Sequence, residues 1–103
     1  MSTEQTIFDY TFVVPHTTNL FFIAGGKQGY TTTSGSHPWQ MTIYFDGVEI
    51  NLSAGAGAVS DVVSVFAAAV GVAPGTHEVK LTWFGDTAIQ LSRVNMLMLS
   101  TYK

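Results

Sequence analysis

Cysteine is absent from all 103 residues, which excludes a disulfide framework, a thiol nucleophile and a thiolate metal site. Charge is scarce as well. Charged residues make up 11% of the chain, against about a quarter in an ordinary soluble domain, so much of the surface must be uncharged. Lys27, Lys80, Arg93 and Lys103 are the only basic side chains and the net charge is −3; the pI is near 5.3. That leaves no basic stripe to neutralise phosphates, and nucleic acid is not an expected partner. The longest apolar run, Val65 to Val72, is far short of the ~20 residues of a spanning helix, so membrane insertion is not expected. Met1-Ser2-Thr3-Glu4-Gln5 has neither the basic nor the apolar region of a signal peptide, which predicts synthesis in the cytoplasm without secretion by that route.

What the chain does contain is β pattern for one core. At this length a second core has no room, so the expected organisation is a short polar arm, residues 1–6, and a single domain, residues 7–103. A hydrophobic fraction of 47% beside so little charge implies surface hidden against copies of the chain or a partner.

Phe8, Tyr10, Phe12 and Val14 alternate with Asp9 and Thr11 in a first strand that Pro15 stops. Leu20 to Ala24 reads as a second strand, apolar on both faces and ended by Gly25-Gly26. The stretch to Pro38 then reads as a loop of Gly, Ser, Thr and Gln carrying Tyr30, Ser36 and His37, long enough to suggest use. Trp39, Met41, Ile43 and Phe45 alternate with polar residues, and Asp46-Gly47 marks a hairpin whose return strand would face Val48, Ile50 and Leu52 inward. Ser53 to Ala58 reads as a small-residue linker.

The segment from Val59 to Val70 fits a helical stripe as well as a strand. Its β-branched residues favour strand, as does the Pro74-Gly75 turn into the alternating run Val79, Leu81, Trp83. That turn is read as a hairpin. Ala88 to Leu91 and Val94 to Tyr102 follow, the last with Val94, Met96 and Met98 on one face and Leu97 and Leu99 on the other. Eight short strands without a helix predict an all-β fold, an antiparallel jelly-roll sandwich or barrel.

No reaction chemistry emerges from the residue pattern. His16, His37 and His77 have no second ligand type at zinc-like spacing, so no metal or other cofactor is expected. Ser34-Gly35-Ser36-His37 lacks the strand-to-helix context of a nucleophile elbow, and no two acids pair as a glycosidase needs. Asp46, Asp86, Glu49, Glu78 and Asp61 read as solvated carboxylates, and His77 as a strand-end residue bonded to a neighbouring backbone group. A non-enzymatic role is therefore expected, with no catalytic residue.

The run from Val72 to Trp83, followed by a short strand and a closing apolar strand, resembles the C-terminal half of small jelly-roll domains of the C1q/TNF-like kind. The likeness covers residues 59–102. Such domains are common in phage virion proteins, among them capsid decoration proteins, fibre heads and baseplate receptor-binding parts. The resemblance implies a homotrimer with the first and last strands near the shared interface, which nominates Tyr10, Phe12, Met96, Met98 and Tyr102. Because the chain is a bare domain with its own Met1, a bacteriophage capsid decoration protein located in the virion and bound to a major capsid protein, or another virion component, is the expected role. The competing expectation is a carbohydrate- or receptor-binding module that meets a surface glycan through the 26–38 loop, with Tyr30, Ser36 and His37 as contacts.

Overall fold

The computed structural model describes residues 4–30, 37–57, 61–85 and 89–102, and among them every regular element is a strand. These are β1 (Gln5–Val14), β2 (Thr18–Tyr30), β3 (His37–Phe45), β4 (Val48–Gly57), β5 (Asp61–Val72), β6 (Gly75–Gly85) and β7 (Ile89–Tyr102). They form two antiparallel sheets, one ordered β1-β6-β3-β4 and the other β5-β2-β7. The fold is all-β, with seven strands where eight were expected. The strands predicted on either side of Ser92-Arg93 are one strand, β7, carrying a bulge. Gly26 of β2 faces the two residues Arg93 and Val94 there, and Arg93 takes a left-handed φ of 53°.

Four further readings change. Gly25-Gly26 does not end β2, which runs on to Tyr30. The two glycines mark close approach instead: a Cβ on Gly26 would lie 3.2 Å from Leu91 Cδ1, and one on Gly25 3.2 Å from the Val63 carbonyl oxygen. The loop therefore shortens, and its centre, residues 31–36, lies outside the described residues. Likewise Ser53 to Gly57 belongs to β4, where small residues make room for an indole. Trp39 stacks on Trp83 with centroids 5.7 Å apart, and a Cβ on Gly55 would meet Trp39 Cζ2 at 3.0 Å. Gly55→Ala is expected to cost about 1–3 kcal/mol, read as a lower urea midpoint at unchanged m-value.

The inward face of β4 also differs from its pattern. A bulge at Ile50 shifts the register, so that Asn51, Ser53 and Gly55 pair with the inward residues Ile43, Met41 and Trp39, while Leu52 is exposed. One inserted residue exchanges the two faces of everything beyond it. Asn51 then reaches across the sandwich, donating through Nδ2 to the Phe66 carbonyl of β5 at 2.5 Å.

The fourth change concerns Pro74-Gly75. β5 pairs with β2, and β6 pairs with β1 and β3, so the turn is a corner between sheets, not a hairpin. Gly75 adopts the positive φ, 134°, that this corner requires. Among the described residues only Asp46-Gly47, with φ of 49° and 80°, joins two paired strands, as the primed turn expected of that dipeptide. The segment after residue 60 is strand, as its valines predict.

Between the sheets lie Leu20, Phe22 and Ala24 of β2, Val63, Val65 and Ala67 of β5, Met41 and Ile43 of β3, and Val79, Leu81 and Trp83 of β6. The inward residues of β1 and β6 are those that the period-2 pattern names. The molecule is elongated, 50 × 21 × 18 Å.

Candidate functional site

Three features on this scaffold bear on function: a braced corner, an apolar cleft and an apolar sheet face. The corner follows from the Asp46-Gly47 turn. Its left-handed backbone lets the Asp46 N–H donate to the Glu78 carbonyl at 2.8 Å, while Asp46 Oδ1 accepts from the Glu78 N–H at 2.8 Å. Asp46 Oδ2 lies 2.7 Å from His77 Nδ1, and His77 Nε2 lies 2.7 Å from the Ala73 carbonyl oxygen. A doubly protonated imidazole donates to both acceptors at once. The Asp46 hydrogen bond and the Ala73 carbonyl raise the His77 pKa above its ordinary value, partial desolvation opposing them. The bond from His77 lowers that of Asp46. The ring also stacks on Phe45, centroids 5.4 Å apart. The backbone bond expected of His77 is present; the ion pair, and the fact that Asp46 is no merely solvated acid, were missed. The signal was there, since an aspartate in a primed turn can aim its carboxylate back at the neighbouring strand. This is a structural clamp between the β3–β4 turn and the β5–β6 corner.

The cleft opens between the terminal strands. Phe8 and Tyr10 of β1, Val79 of β6, and Met96 and Met98 of β7 line a volume of about 270 Å³. Of the nominated interface residues, Met96 and Met98 are half-buried on the inward face. Phe12 is half-buried too and lines a smaller hollow beside Met98 and Ser100. Tyr10, 56% exposed although on the inward face, stacks on Phe12 at 5.8 Å. The structure thus gathers these four along one side of the sandwich. Tyr102 ends β7, but its side chain lies outside the described residues.

The sheet face carries the second apolar side of β7, the one with Leu97 and Leu99. Outward on β5-β2-β7 stand Phe66 (70% exposed), Leu97 (53%), Leu99 (51%), Ile23 (47%) and Phe21 (40%), with Val70 at one end. Register brings them side by side: Ile23 lies between Phe66 and Leu97, and Phe21 between Ala68 and Leu99. At the other end Lys27 and Arg93 border a shallow groove of about 370 Å³ floored by Gly25 and Gly26. Two of the four basic residues thus share one groove, brought together by the bulge that holds Arg93 in its left-handed conformation.

For the loop reading less can be placed. Ser36 lies outside the described residues, as does the side chain of Tyr30; His37 is half-buried at the start of β3. Trp39 is half-buried against Trp83 and offers no free platform for a sugar ring. Among the described residues no three His, Asp or Glu side chains cluster in a way that could hold a metal ion. Comparison with protein-family models, with curated proteins and with solved structures gives no match.

Proposed function

We propose that this is a non-enzymatic structural protein that works by self-association, a homotrimeric capsid decoration protein of a phage virion attached to the lattice of a major capsid protein. A jelly roll one strand short of eight is part of this proposal, supported by the passage of every connection but β3–β4 between the two sheets among the described strands. The observation that carries the proposal is the outward apolar face of β5-β2-β7. Six large apolar side chains with these exposures present on the order of 500–600 Å² of contiguous surface, at the upper end for a monomer. A standard interface takes about 800 Å² per partner, so the face and its polar rim suffice for a stable contact. Three linked copies would then bind a repeating lattice by avidity, each weak contact raising the effective concentration of the next.

Light scattering tests the self-association. The 11.1 kDa chain is expected to have about three times that mass at micromolar concentration, and Leu97→Asp to give a folded monomer, because a desolvated carboxylate would face the contact. A monomeric parent protein would sink the proposal. The virion role has its own check: a gene next to that of a major capsid protein supports it, and one within a fibre operon overturns it.

A further inference from the structure

We infer that the outer edge of β7, with the β1–β7 cleft beneath it, is a slot for one added strand: an extended, uncharged arm of another protein with apolar residues at alternate positions. The inference is independent of the trimer and rests on the assembly reading only for the source of the arm. Four observations converge on it. The sheets are unequal, with four strands against three, and β5 packs against both β4 and β3. β7 consequently faces β6 and β1 across the sandwich, and Val79 of β6 and Phe8 and Tyr10 of β1 line the same cleft as Met96 and Met98. The position beside β7 and facing β1 is the one a fourth strand would take, and there the cleft stands open, with Phe8, Met96 and Met98 only half-buried against the core and Tyr10 exposed.

The edge itself is unprotected. β7 is the longest strand and, among the described residues, pairs on one side only, with β2. From Val94 to Tyr102 it carries neither charge nor proline, the devices that usually blunt an exposed edge. The other edges are managed: β1 has Asp9 and a bulge at Ile7, β4 has Glu49 and the bulge at Ile50, and the Phe66 carbonyl of β5 is occupied by Asn51. An added strand would draw affinity from main-chain bonds to β7 and selectivity from alternate side chains entering the cleft.

Shape and charge choose the occupant. Pairing β7 with β7 of a second copy would set the two β1 strands, each facing β7 across its cleft, against one another, whereas a single arm brings no second layer. Nine residues of edge fall well below the ~20–30 residues a side of a globular interface, which again suits an arm. Glu4, the first described residue, is held on the opposite face of the large sheet by Thr82 Oγ1 at 2.8 Å and Tyr44 OH at 3.0 Å, away from the slot. With no charge along the slot, the arm's inward residues must be apolar.

The test uses a fluorescent nine-residue peptide of alternating threonine and leucine, titrated by anisotropy, with hydrogen exchange followed at the amides of residues 94–101. Saturable binding is expected, together with slowed exchange along β7. N-methylation of every peptide bond should weaken binding at least tenfold, and so should Tyr10→Lys, which places a charge in the cleft at an exposed position and leaves the core intact. Circular dichroism of Tyr10→Lys checks the fold. Equal binding of the methylated peptide, or β7 exchange that the peptide leaves unchanged, would overturn the inference. So would loss of self-association in Tyr10→Lys, which would assign the cleft to copies of the chain. Failure of the trimer shows separately, as a monomeric mass with peptide binding retained.

Discussion

Phe22→Ala is expected to lower the stability of the chain by about 3–5 kcal/mol, whereas Phe21→Ala, one residue away, should cost the isolated chain no more than ~1 kcal/mol. The difference is one of faces. Phe22 is fully buried between the sheets, its ring 5.9 Å from that of Phe45. Truncation removes the transfer free energy of a whole aromatic side chain and leaves a cavity that two hydrogen-bonded sheets cannot close. For a domain of this size the melting temperature should fall by ~15–30 °C. Since domains are stabilised by only about 5–15 kcal/mol, the variant would sit near the edge of folding. Phe21 points outward, 40% exposed, and its loss opens no enclosed cavity between the sheets. Its effect should appear instead as weaker self-association. Chemical denaturation of both variants at one low protein concentration decides the matter, and equal costs would contradict the assignment of faces.

Adjacent residues with opposite fates also show what could be read from the residues and what could not. Val79, Leu81 and Trp83 alternate cleanly with polar neighbours, so strand, face and burial of β6 were legible, as was the primed turn at Asp46-Gly47. Each bulge was illegible. Arg93 looked like a break between two strands because the pattern slips there, and Ile50 reversed the face of β4 without a Gly or Pro to announce it. Glycines misled in the other direction. Gly25, Gly26 and Gly55 resemble turn punctuation, yet each stands where another chain segment or an indole comes too close for a Cβ. Sheet membership was beyond reach for Pro74-Gly75, since hairpin and corner share turn chemistry and differ only in which distant strands pair. For the candidate surfaces, the two-faced apolar pattern of β7 showed that apolar residues stand on both of its sides. It could not say that Met96 and Met98 look inward to the cleft while Leu97 and Leu99 look outward with Phe66.

Folding should be most stable in mildly acidic solution and weaken as pH rises from 6 to 9, and Asp46→Asn should abolish that slope. The cause is the clamp. His77 is protonated with a pKa of about 6.5 in an unfolded chain, and its folded value is higher because the Asp46 carboxylate and the Ala73 carbonyl accept from the ring. A raised value means that the folded state holds the proton more tightly. The stabilisation is complete below the unfolded pKa and is lost as pH climbs through the folded one. Asp46 works in the opposite sense: its folded pKa is depressed by His77, so its share is present above about 4 and lost on acidification. Glu78 adds a separate trend at lower pH. Its pKa is raised by the hydrogen bond and negative charge of Asp9, so it favours the folded state only while protonated. Tyr44, raised by its bond to the Glu4 carboxylate, titrates above the window. Asparagine at position 46 keeps the left-handed turn, since Asn-Gly is as good a primed-turn pair as Asp-Gly, and it can still accept from the Glu78 N–H. What it removes is the charge opposite His77. Because Asp46 is 43% exposed, solvent screens the pair, and the expected loss is ~1–2 kcal/mol at pH 6, fading to near zero by pH 9. His77→Phe should flatten the profile as well while keeping a ring against Phe45. If urea midpoints of the parent protein do not fall between pH 6 and 9, or if Asp46→Asn lowers them equally at both ends, the clamp is not what holds the corner.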